Sequence, residues 1–123
     1  MKLLIDTSAW IEHLKGNTEA IREILLDEGT VLLTHSSVIA ELMLGGIKSG
    51  SEVLVLLNKQ EKAIEATSSE LLIFIEKYNI IGKGVGIVDC GLLMSCLLSD
   101  AALLTYDKKL RELASLLRIR TLG

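Results

Sequence analysis

Residues 88–110 read VDCGLLMSCLLSDAALLTYDKKL. From Val88 to Leu98 the chain is nearly all apolar, which predicts a helix buried all round rather than one with a wet face. Ala102 to Thr105 is a short apolar run, the pattern of a strand covered on both faces. Lys108 to Leu117 returns to helical periodicity. Helix, strand and helix in succession are the grammar of a parallel sheet. Two acids, Asp89 and Asp107, stand at the junctions. An unpaired buried carboxylate is very costly, so acids set among apolar residues are usually paired, protonated or bound to a cation.

The same alternation runs outward. Lys2 to Ile5 predicts a first strand, followed by helical segments over Ser8 to Leu14 and Thr18 to Asp27. Val31 to Thr34 predicts a second strand. Ser36 or Ser37 is placed to cap the helix that carries Glu41, which ends at Gly45-Gly46. Ser51 to Lys59 reads as helix and Ala63 to Ala66 as a third strand. Ser68 or Ser69 opens a helix through Tyr78, with a glycine-rich loop behind it. Ile119 to Leu122 reads as a last short strand. The expectation is an α/β fold with a mostly parallel sheet and helices on both faces, formed by residues 1–123 as a single domain.

In such sheets ligands bind beyond the carboxyl ends of the strands, at a topological switch point. Asp6 follows the first strand and Asp107 the fourth. Glu41 lies about one turn into the helix after the second strand, and Asp89 at a helix start. All four therefore fall at one end of the sheet. Carboxylates converging there suit Mg²⁺ or Mn²⁺, one ion or two, which take oxygen ligands and promote phosphate-ester hydrolysis without a nucleophilic side chain. His13 and His35 lack zinc spacing. Ser8, Thr34 and Thr105 are placed as secondary hydroxyls. Each acid also has a plainer reading: Asp6, Asp89 and Asp107 as helix caps, and Glu41 as a structural acid. Glu12 reads as a solvated helix acid and Asp100 as a turn residue. Gly82-Lys83-Gly84-Val85-Gly86 follows a helix and lacks a GK[ST] ending, so it is no P-loop. Lys83, Lys108 and Lys109 are candidates to meet a substrate phosphate, against the plainer reading of solvated lysines.

Half of the residues are hydrophobic but only 3% are aromatic, so the core must be aliphatic. The mean hydropathy of +0.46 suggests an apolar surface covered by a partner or second subunit. A net charge of −3 argues against holding nucleic acid by bulk positive charge. It leaves open a nuclease whose metal ions meet the phosphates. No charge-free stretch reaches the roughly 18 apolar residues of a membrane span. The opening MKLLIDTSAW has too short an apolar run for a signal core, so a cytoplasmic location is expected. Cys90 and Cys96 read as reduced core thiols, since six helical residues set them about 9 Å apart.

The segments LLIDTSAWIEHL (3–14), SSVIAELMLGGI (36–47) and IIGKGVGIVDCGLLMSCLLSDAALLTYDKKL (80–110) together resemble a PIN-domain ribonuclease of the VapC toxin kind. The resemblance implies a three-layer α/β/α sandwich around a parallel sheet of about five strands. It implies Asp6, Glu41, Asp89 and Asp107 as the catalytic, metal-holding quartet, with Ser8 and Thr105 as supporting hydroxyls. RNA is the implied substrate, often tRNA. A homodimer and a VapB-like antitoxin that wraps it are the implied partners. Gly91 and Tyr106 depart from the pattern, where a larger side chain and an Arg respectively are common. Two other classes compete. One is a non-catalytic PIN-like module that only binds RNA or protein. The other is a phosphoryl-transfer fold with an acceptor Asp, but position 8 is Ser and no Asp ends a strand near Ala66.

Overall fold

The computed structural model describes residues 1–122. Five strands form one sheet: β1 (Lys2–Ile5), β2 (Val31–Thr34), β3 (Glu61–Lys62), β4 (Ala101–Leu104) and β5 (Thr121–Leu122). Their order is β3-β2-β1-β4-β5 and every pairing is parallel. Parallel neighbours need crossovers, which seven helices supply: α1 (Thr7–Leu14), α2 (Glu19–Leu26), α3 (Ser36–Leu44), α4 (Glu52–Lys59), α5 (Ser68–Lys77), α6 (Ile87–Ser99) and α7 (Lys108–Leu116). The chain walks from β1 toward β3, then crosses back past β1 to β4 and β5. Right-handed crossovers in opposite directions put helices on both faces of the sheet. The α/β/α sandwich expected above follows, and its switch point lies between β1 and β4.

Leu3, Leu4, Ile5, Leu33, Leu103 and Leu104 fill the sheet's interior, and Trp10 from α1 and Phe74 from α5 are buried in the same core. Helix α6 buries Cys90, Leu92, Leu93 and Cys96, as its apolar run requires. Both thiols are free, and burial pushes the Cys96 thiol up to about 12.

Local signals differ from expectation at four places. The third strand is Glu61–Lys62 rather than Ala63 to Ala66. Ala63 still donates its N–H to the Thr34 carbonyl, but Ile64 then turns its N–H to the Ser99 hydroxyl and leaves the sheet. A charged pair on an edge strand also discourages pairing with another chain. Helix α3 is capped by His35, whose Nδ1 accepts the Ser37 N–H, not by a serine. Helix α5 is capped by Thr67 in a capping box with Glu70, one residue before Ser68. Gly86, not Asp89, is the N-cap of α6.

Candidate active site

Asp6 leaves β1 and becomes the N-cap of α1. Its Oδ1 accepts from the Ser8 hydroxyl at 2.7 Å and from the Ala9 N–H at 3.0 Å. Its Oδ2 accepts from the Thr105 hydroxyl at 2.5 Å. A buried carboxylate is tolerable here because each oxygen is served by a donor. Thr105 Oγ1 also accepts the Asp107 N–H at 3.0 Å, and Ser8 Oγ accepts the Tyr106 N–H at 3.1 Å. Two hydroxyls thus lock the end of β1 to the end of β4, across the switch point. The structure uses Ser8 and Thr105 to hold Asp6 itself. Thr34, the third hydroxyl considered, bonds to none of these groups: its buried Oγ1 has no partner, and the residue lines a separate cavity with Ile39, Ala40 and Met43.

Asp107 caps α7, its Oδ1 accepting the Leu110 N–H at 3.0 Å. Glu41 is exposed on α3, and its Oε1 accepts from the Thr7 hydroxyl at 2.6 Å. Asp89 is half-buried in the first turn of α6. Burial raises its pKa above the usual carboxylate value, and the charges of Asp107, Asp6 and Glu41 raise it further. All four acids therefore share one field. They do not form a closed cage: among the described residues, no three acidic, histidine or cysteine side chains are gathered tightly enough to enclose an ion. Like charges repel, so the four side chains stand apart until a counter-ion offsets them.

Thr7 was not singled out from sequence, although it adjoins Asp6. Arg111 was also missed. Its Nη2 donates to the Thr105 carbonyl at 2.8 Å, while its buried Nε has no partner. A basic residue one turn into a helix carries no sequence mark that separates it from a solvated one. Glu12 pairs with Lys15 and accepts from Asn17, an ordinary helix-end arrangement. Asp100 is a left-handed C-cap of α6, far from special as a ligand.

Lys108 and Lys109 open α7, where positive charge opposes the helix dipole. Lys83 is exposed in the glycine-rich loop. That loop meets α7 at Gly84: its φ is +73°, and a Cβ there would collide with the Lys109 ammonium. The left-handed backbone favours glycine at this position, whereas the flexible tip of Lys109 can swing aside.

A family model described as PIN domain matches residues 3–116. The chain belongs to the PIN-domain family. This PIN domain is 39% identical over 110 residues to a protein named Ribonuclease VapC32 from Mycobacterium tuberculosis, found in two strains. The match covers 89% of this chain and 87% of the relative. That likeness places the PIN domain among VapC members of the family. A solved structure described as VapBC-1 from nontypeable Haemophilus influenzae superimposes with a TM-score of 0.71 at 18% identity. It covers 100% of this chain and 98% of its own, and so supports the fold alone. No helix among the described residues is long and apolar enough to cross a membrane.

Proposed function

We propose that the chain is a metal-dependent endoribonuclease and the toxin of a toxin–antitoxin pair. The observation that carries the reading is the convergence of Asp6, Glu41, Asp89 and Asp107 beyond the switch point, where three of them act on the charge of the fourth. The VapC relative is named as a ribonuclease, which supports RNA as substrate. The resemblance makes tRNA the first substrate to try.

The donor set fits Mg²⁺ or Mn²⁺: all candidate ligands are carboxylates, and none of the influences raising Asp89 is offset by a cation. Asp6, Glu41, Asp89 and Asp107 would hold one ion or two. Such an ion supplies a water of lowered pKa and charge to offset the phosphodiester oxygens. The chain's own groups prepare that site. Ser8 and Thr105 fix the Asp6 rotamer, Thr7 fixes Glu41, and the α7 N-terminus fixes Asp107. Lys83, Lys108 and Lys109 neutralise phosphate and so bring RNA to a protein of net charge −3.

A VapB-like antitoxin and a second copy of the chain are the proposed partners. The 39% identity to a protein named Ribonuclease VapC32 supports the first. Exposed Leu72, Ile73, Ile81 and Ile87 supply apolar area that a partner would cover.

The test is direct. Purified protein, incubated with total RNA, is expected to cut it with Mn²⁺ and to stop in EDTA. Cleavage at equal rate in both would defeat the metal-dependent reading. The loosely gathered acids favour one rival, a PIN-like module that binds without cutting. Calorimetry showing no Mn²⁺ binding at millimolar concentration would favour that rival.

A further inference from the structure

Tyr106, the residue before Asp107, lines an open cavity of about 560 Å³ at the start of α2. Asn17, Thr18, Glu19, Glu23 and Tyr106 are among its lining residues. It is large enough for a nucleobase and open to solvent. Tyr106 ties it to the chemistry. The residue sits between Thr105 and Asp107 in the chain, and its N–H is held by the Ser8 hydroxyl that also holds Asp6. The residue is nevertheless 39% exposed, while Trp10 and Phe74 are fully buried.

The lining chemistry says what fits. Glu19 and Glu23 are one helical turn apart, where like charges are unfavourable. The ion pairs found among the described residues, Lys2–Glu61 and Lys15–Glu12, involve neither. Two uncompensated carboxylates repel a phosphate, so the sugar–phosphate backbone is excluded. They accept hydrogen bonds from a group presenting N–H donors, and Asn17 and Thr18 add both donors and acceptors. An exposed tyrosine offers the flat face on which an unstacked base rests. Guanine presents adjacent N1–H and N2–H donors on its Watson–Crick edge, and uracil presents only one N–H. We propose that this cavity is a nucleobase subsite, selective for guanine, that positions RNA for scission at the four acids. Tyr106 is its stacking residue, and Glu23 with Glu19 its edge readers. The proposal rests on the ribonuclease reading above, and it names how that site would choose its target.

The experiment separates the two. Fluorescein-labelled RNA pentamers UUGUU, UUAUU and UUUUU are titrated with the protein in EDTA, and affinity is read by anisotropy, so hydrolysis plays no part. UUGUU is expected to bind several-fold more tightly than the others. Tyr106→Ala is expected to weaken UUGUU binding about tenfold, the scale of one lost stacking contact. Tyr106→Phe, which keeps the flat face, should stay within about twofold on the same grounds. Glu23→Gln should erase the preference for guanine while leaving UUUUU binding at least as strong. Equal affinity for all three pentamers, or indifference to Tyr106→Ala, overturns the subsite. Cleavage mapping on total RNA with Mn²⁺ then runs in parallel. Cuts that keep their positions in Tyr106→Ala overturn the subsite while sparing the nuclease. Guanine-selective binding without any cleavage sustains the subsite as a binding pocket and sinks the nuclease.

Discussion

Thr105 carries more of the site than its size suggests, since one hydroxyl donates to Asp6 and accepts from the Asp107 N–H. Replacing it by Val keeps the shape and removes both contacts, leaving a buried Asp6 oxygen short of a donor. Thr105→Val is therefore expected to lower stability by about 1–3 kcal/mol, the cost of an unsatisfied buried group. Urea denaturation measures it, and an unchanged midpoint would show that Asp6 does not depend on the hydroxyl. Asp89 behaves in the opposite way, because burial and three acids disfavour its charge. Asp89→Asn should melt at or above the wild-type temperature in EDTA, and should lose the RNA cleavage that the wild type shows with Mn²⁺. Melting well below the wild type would mean that Asp89 is a structural acid. The acids themselves were legible in the sequence because apolar neighbours made them conspicuous. Thr7 was not, since its role depends on Glu41, 34 residues away, and Arg111 was not, since its bond goes to a backbone carbonyl, which every residue carries.

Among the elements, α3 shows why caps are hard to read. Ser36 and Ser37 are good capping residues, yet His35 caps the helix and its Nε2 meets the Ser95 hydroxyl of α6 at 3.0 Å. The partner that fixes the His35 ring lies sixty residues away, beyond the reach of any local pattern. Glu65 adds a fork onto the Ser36 N–H and hydroxyl. This cap needs a neutral imidazole, because Nδ1 accepts. Burial lowers the His35 pKa from 6.5, opposed in part by the charge of Glu65. The unfolded chain therefore binds a proton first as pH falls, and stability drops with acid. The loss should begin near pH 6.5 and continue down to the folded-state pKa, with no contribution above that window. A His35→Gln variant should flatten the slope of unfolding free energy between pH 7.5 and 5.5, both taken as about one unit either side of the histidine range. A slope unchanged in the variant would assign it to other groups. Helix α6 offers a second test at Gly91, where an added Cβ meets nothing within 4 Å. Gly91→Ala is expected to stabilise the protein by about 0.5–1 kcal/mol through helix propensity. A lower melting temperature would show that the backbone there needs glycine.

At the scale of the whole molecule, the alternation of strands and helices was legible because apolar period and length distinguish them. The edge strands were least so, as β3 and β5 are two residues each and carry little apolar signal. The strand order was not legible, yet it gives the acids their common place: β1 and β4 are neighbours, so Asp6 and Asp107 leave the sheet side by side. The central claim is that Asp6, Glu41, Asp89 and Asp107 act as one catalytic unit. Its most direct test is the rate of RNA cleavage with Mn²⁺ for Asp6→Asn, Glu41→Gln, Asp89→Asn and Asp107→Asn, beside Glu12→Gln as an acid outside the unit. Each of the four should fall by at least about 100-fold, the scale of losing a preorganised charge-stabilising group, with Glu12→Gln near wild type. Wild-type cleavage by any folded variant of the four would contradict the claim.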